Sequence, residues 1–185
     1  MDDILIKNGY LLDPVAGLSK ICSLAINDGK IRSIDAEPQA EGIQIIDATG
    51  CYVTPGLIDY HIHMYTGGCE FALKPEVPAF TSGVTTVVDG GSSGVSGFKG
   101  FYENDIIKSD VNAMLNICSA GQPGVYYLEN MDPTLFQRQS ILKLCEKYSD
   151  VIVAIKVRQS KNIVKDFGLE PLRRAVKIAE EAQLP

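Results

Sequence analysis

Two histidines and one lysine are the residues of this sequence whose placement calls for a chemical explanation. His61 and His63 are its only histidines, and they close the run Pro55-Gly-Leu-Ile-Asp-Tyr-His-Ile-His63. On a strand, positions i and i+2 share a face, so both imidazoles point the same way. Lys156 stands inside Val151-Ile-Val-Ala-Ile-Lys-Val157, an apolar run in which an ammonium is costly to desolvate. Imidazole suits Zn2+ and related divalent ions. A lysine whose pKa is lowered by burial and nearby cations keeps a neutral amine that can capture CO2. The resulting carbamate is an anionic two-oxygen ligand able to bridge two metals. Together the three residues read as ligands of one metal site.

Each residue also has a plainer reading. A His-x-His pair can be two half-buried imidazoles bonded to neighbours. Lys156 can bury its stem while its ammonium reaches water, or it can be a Schiff-base nucleophile. Arg158 lies two residues past Lys156 and faces the same way, so it is a candidate for a substrate carboxylate or for a surface salt bridge. Asp59, two before His61, either orients the site from behind or caps the strand. The loop Gly90-Gly-Ser-Ser-Gly94 approaches substrate or phosphate but lacks the patterns of a nucleotide loop.

The elements that must position these groups fall into two textures. Residues 1–54 are short strands broken by turns, including a hairpin over Ser23–Asp35 turned by Asn27-Asp28-Gly29. They predict a small antiparallel, β-rich domain. Residues 55–185 alternate strand and helix. The expected strands are Leu57–His61, Val84–Asp89, Val111–Cys118 and Val151–Val157. A helix of open limits should precede Gly83, a second spans Gly97 to Ser109, and a third starts on Asp132 as N-cap with Pro133 at N1. The last helix should bury Leu169, Leu172, Val176 and Ala179. Serial βα units imply parallel strands, either in a flavodoxin-like layer or in half of an eight-fold barrel. On both, the histidine pair sits at the carboxyl edge, where such folds build their sites.

Bulk properties exclude several classes. A net charge of −6 offers no basic stripe for nucleic acid. There is no signal-peptide pattern and no apolar run of membrane-spanning length. Five scattered cysteines without C-x-x-C spacing fit reduced thiols in a cytoplasmic protein, each a small buried hydrophobe.

The combined motifs resemble the amidohydrolase superfamily. Pro55–His63 looks like its first-strand signature, Ser82-Gly-Val-Thr-Thr-Val-Val-Asp-Gly-Gly-Ser92 like its second strand, and Lys156 like the carbamylated bridge of the dihydroorotase-like branch. Ala154-Ile-Lys-Val-Arg158 and the glycine loop resemble the deacetylase and D-aminoacylase-like members. The resemblance implies an α/β fold: the N-terminal half of a (β/α)8 barrel preceded by a small β-sandwich domain. His61 and His63 would bind one Zn2+, and carbamylated Lys156 would bridge it to a second about 3.5–4 Å away, with a hydroxide nucleophile between them. The reaction implied is hydrolysis of a small-molecule C–N amide bond, in a cyclic amide or an N-acyl compound, by a homo-oligomeric enzyme.

The family's later histidines and its proton-shuttling aspartate have no counterpart here. Residues 1–185 are therefore expected to be an incomplete portion, inactive alone. Two alternatives stay open: a non-catalytic scaffold built on the same half-barrel, and a lysine Schiff-base lyase.

Overall fold

A computed structural model describes residues 3–35, 44–74, 77, 82–106 and 111–185. The chain divides into two compact units, residues 1–56 and 57–185, and each is described by itself.

In the first unit, β1 (Ile4–Asp13) and β2 (Leu18–Asn27) form a long antiparallel pair, and β3 (Lys30–Ile34) returns along β2. The β2–β3 turn places Asp28 and Gly29 at φ of 50° and 68°, the left-handed conformation that Asp tolerates and Gly adopts freely. Strands β4 (Gln44–Asp47) and β5 (Tyr52–Val53) both run parallel to β1. The sheet is therefore mixed, not antiparallel as expected. β4 pairs with Ile4–Lys7 and β5 with Tyr10–Leu11, so the two form one interrupted row along a single edge. Asp47 holds the interruption by accepting from the Thr49 backbone N–H and hydroxyl. The described residues make one five-stranded sheet. One of its faces gathers Leu11, Cys22 and Leu24 against Ile6, Leu18, Ile26 and Val53.

The second unit carries a parallel sheet of order β6-β7-β8-β9. Its strands are β6 (Leu57–Ile62), β7 (Val84–Asp89), β8 (Asn112–Asn116) and β9 (Ile152–Lys156). The helix expected before Gly83 falls largely outside the described residues. The next begins as α1 (Phe98–Phe101) and widens into a π turn, Tyr102–Ile106; positions 107–110 of that expected helix also lie outside them. α2 (Arg138–Lys147), α3 (Lys161–Val164) and α4 (Glu170–Ala182) complete the unit.

Two helix expectations need correction. Asp132 does cap a turn, accepting from Thr134 N–H, but the turn is a single 3-10 segment, Pro133–Leu135. Phe136 then swings to ψ 120° and breaks it, so α2 starts six residues after Asp132. In α4 the buried face is Pro171, Ala175, Ile178 and Ala179, whereas Leu169 and Val176 are 57% and 47% exposed. Small residues let the helix approach its neighbours closely, so the sheet side took the alanines.

The core of this unit packs Phe98, Phe101, Leu115, Ile117, Ile141, Ile152 and Ile178 together. Phe98 is fully buried, against Phe101 and Tyr148. Phe98→Ala should cost about 3–5 kcal/mol, read as a lowered urea midpoint; an unchanged midpoint would show that this cluster does not carry the unit. All five cysteines are free, and Cys51 is exposed, a correction to the expectation that each is buried. Among the described residues no helix is long and apolar enough to cross a membrane.

Candidate metal centre

Because β6 to β9 are parallel, their carboxyl ends share one edge, and each end carries a polar side chain. His61 lies in β6 and His63 just past it, while Asp89, Asn116 and Lys156 are the last residues of β7, β8 and β9. Lys156 Nζ lies 3.2 Å from His61 Nε2. The two imidazoles stand edge to face with centroids 5.6 Å apart, and Phe71 packs on His63 at 5.1 Å. The pair and the distant amine thus meet at one rim.

The loop after β7 holds this arrangement. Asp89 is fully buried and accepts four hydrogen bonds. Gly91 N–H (2.9 Å) and Ser92 N–H (2.6 Å) reach Oδ1; Met64 N–H (2.8 Å) and the Ser92 hydroxyl (2.6 Å) reach Oδ2. Ser92 Oγ also lies 2.9 Å from His63 Nδ1. Asn116, likewise buried, donates to Gly91 O and accepts from Cys118 N–H, both at 2.9 Å. The backbone passes close by: a Cβ on Gly90 would sit 2.3 Å from the His61 ring, and one on Gly91 2.5 Å from the Lys156 stem. Gly91 has φ of 89°, where only glycine rests without strain.

Burial lowers the proton affinity of all three bases at the rim. Burial, and then the Lys156 charge, pull His61 below the usual imidazole range. Burial, then Lys156, His61 and Arg158, bring His63 down to about 4. Lys156 is lowered by burial, against the pull of Glu129 and Asp89 and with help from Arg158. Burial pushes the Asp89 carboxyl up, against the hydrogen bonds it accepts. For metal-free chain the sign is clear. The unfolded histidine takes up a proton near 6.5 that folded His63 refuses until about 4, so this stability is complete above 6.5 and lost as pH falls between those values. The ring is only half buried, so the expected loss is about 1 kcal/mol. Urea midpoints that fall no further in the parent than in His63→Gln over this window would contradict it.

Arg158 is committed to an acid. Its Nη1 donates to Glu129 Oε2 at 3.2 Å; the Glu129 side chain is 0% exposed and that of Arg158 34%. Among the described residues, Glu129 Oε1 is buried without a hydrogen-bond partner. Asp59 accepts from the backbone N–H of His61 at 3.0 Å, and its charge pulls the His61 imidazole upward, against the burial that lowers it. Sequence reasoning missed Asp89, Ser92, Asn116 and Glu129 as site residues. The first two stand in a signature that was read only as a strand and a loop. A carboxylate at a strand end followed by Gly-Gly-Ser is the signal of an Asx-type turn.

The chain is similar to known proteins. Residues 44–124 match the model of the amidohydrolase family. A deacetylase of Agrobacterium fabrum (strain C58) is 35% identical over 162 residues, covering 85% of this chain and 40% of its own length. A deacetylase of Enterococcus faecalis (strain V583) is 30% identical over 183 residues, covering 98% and 48%. The chain is recognisably similar to the amidohydrolase family. Among solved structures, that of a dihydroorotase superposes with a TM-score of 0.85 at 30% identity, covering 98% of this chain and 49% of the other. The chain thus spans two fifths to one half of the length of these amidohydrolase relatives.

The donor chemistry fits a metal of the kind this family suggests. Ligation needs neutral imidazole, and both rings are shifted toward it. Among the described residues no group of three or more His, Cys, Asp or Glu side chains is arranged to hold an ion. Two imidazoles are present, and Lys156 is a third nitrogen base beside them, 3.2 Å from His61 Nε2.

Proposed function

We propose that this chain carries half of the metal centre of an amidohydrolase that hydrolyses a C–N amide bond in a cyclic amide or N-acyl compound. The single observation behind the reading is the 3.2 Å approach of Lys156 Nζ to His61 Nε2 across 95 residues of sequence. On this reading residues 1–54 are part of a small composite β-sandwich domain, and residues 55–185 are the first four βα units of a (β/α)8 barrel. On the same reading the centre is incomplete within residues 1–185, which are inactive alone, and the enzyme is a cytoplasmic homo-oligomer.

His61 and His63 contribute imidazole lone pairs on one face. Lys156, its proton affinity lowered by burial, would add to CO2 from its deprotonated form: a new N–C bond forms, one N–H proton leaves to solvent, and the carbamate oxygens would serve as ligands. Divalent ions bound there, Zn2+ for preference, supply Lewis acidity toward a carbonyl and toward water. Arg158 faces substrate with those donors that Glu129 leaves over and orients a carboxylate. Asp59 steadies the backbone of His61.

Metal content and carbon dioxide dependence test the reading together. The 185-residue chain should retain Zn2+ after dialysis, more so when loaded in bicarbonate, and mass spectrometry under mild conditions should find a 44 Da adduct on Lys156 (the mass of CO2 by elementary arithmetic). A chain that binds no divalent ion with or without bicarbonate would sink it. Trapping of Lys156 by borohydride with a carbonyl compound would instead favour the Schiff-base reading.

A further inference from the structure

Ser92 owns one hydroxyl proton and has two partners that compete for it, Asp89 Oδ2 at 2.6 Å and His63 Nδ1 at 2.9 Å. The competition is decided at Asp89. Three of its four contacts come from backbone N–H groups of Met64, Gly91 and Ser92, which can only donate. A carboxylate surrounded in this way is an acceptor, so the Ser92 proton points to Oδ2. Ser92 Oγ then offers His63 nothing but lone pairs, and a contact at 2.9 Å requires the proton to sit on Nδ1. The buried Cys69 thiol also lies beside Ser92.

We infer that Asp89 and Ser92 are positioning residues that hold His63 as its Nδ1–H tautomer, leaving the Nε2 lone pair free at the strand-end rim. The use of that lone pair for a metal rests on the proposed function, whereas the tautomer itself does not. The arrangement runs carboxylate, hydroxyl, imidazole, with one proton in each link, and both positioning residues are fully buried. It also explains why the loop after β7 turns so tightly. Only by folding back on Asp89 can residue 92 lie between that carboxylate and an imidazole of the neighbouring strand.

The chain's two histidines make the test simple, because a long-range 15N–1H spectrum of the imidazoles contains just two rings. His61→Gln assigns them. In the parent, without metal and above the usual imidazole pKa range, His63 should show a pyrrole-type Nδ1 and a pyridine-type Nε2. Asp89→Asn should exchange the two assignments. The new amide nitrogen faces the side with one backbone donor, donates to Ser92, and turns the hydroxyl proton toward Nδ1. Ser92→Ala should leave both nitrogens at averaged positions and weaken Zn2+ binding about 10–100-fold, while Ser92→Thr restores both.

A parent His63 protonated on Nε2, or an Asp89→Asn spectrum identical to the parent, would overturn the inference. Should Asp89→Asn not fold, the parent spectrum and the Ala–Thr pair decide it alone. Protonated Nδ1 in a chain that takes up no Zn2+ supports the tautomer and removes the metal reading. Zn2+ uptake with the opposite tautomer does the reverse.

Discussion

Lys156→Gln abolishes bicarbonate-enhanced Zn2+ binding and lowers affinity by more than the about 10–100-fold that a supporting residue commands. The side chain ends β9 within hydrogen-bond distance of His61, and glutamine stays polar, one atom shorter, while losing the nucleophilic amine. The fold should survive, because Lys156 is half-buried at a rim and its backbone carbonyl still accepts from Ile117 N–H at 2.9 Å. Removing one base charge also relieves both imidazoles of a neighbour that depresses them. His61 and His63 should therefore titrate at higher pH in the variant, visible in the same imidazole spectrum. Isothermal titration with and without bicarbonate is the direct measurement. Equal affinities in parent and variant would mean that the amine is not part of the centre.

Gly91→Ala comes next in size and reaches the same amine from the backbone. At φ of 89° any Cβ is strained, and this one would meet Lys156 Cγ at 2.5 Å and Cβ at 2.6 Å. Those atoms are close to the β9 backbone and cannot swing aside as the tip of a lysine can. The variant must move the loop or the strand, at about 2–4 kcal/mol in stability. Either movement separates Lys156 from His61, so Zn2+ affinity should fall with an unfolding midpoint that is lowered but still cooperative. Unchanged values for both would show that the loop does not brace the lysine.

The residues with unusual types for their surroundings were legible in the sequence. A lysine in an apolar strand and a His-x-His at a strand end each stand out alone, and parallel topology then brings them to one edge. The supporting network was not legible, because its logic is spatial. Asp89 reads as the polar end of a strand until Met64, two strands' worth of chain away, is seen donating to it. Glu129 sits in a stretch without periodicity, so nothing local marks it as the buried partner of Arg158. The mixed sheet of the first unit was missed for a related reason: neighbouring strands in sequence suggest hairpins, while β4 and β5 pair with a strand more than thirty residues earlier. In α4, hydrophobicity pointed to Leu169 and Val176 as well as Ala179; Ala179 is buried as expected, but close packing selected Ala175 in place of the other two.

The rim contact joins positions 61 and 156, and none of the four parallel strands can be skipped on the way. Parallel pairing at such separations is slow, since loop entropy is spent before any contact repays it. The cation-ready geometry must consequently arrive among the last events as the chain acquires its structure. Stopped-flow mixing with Zn2+ should then leave the early refolding phases untouched and slow only the unfolding limb, a kinetic clamp with no influence on the nucleus.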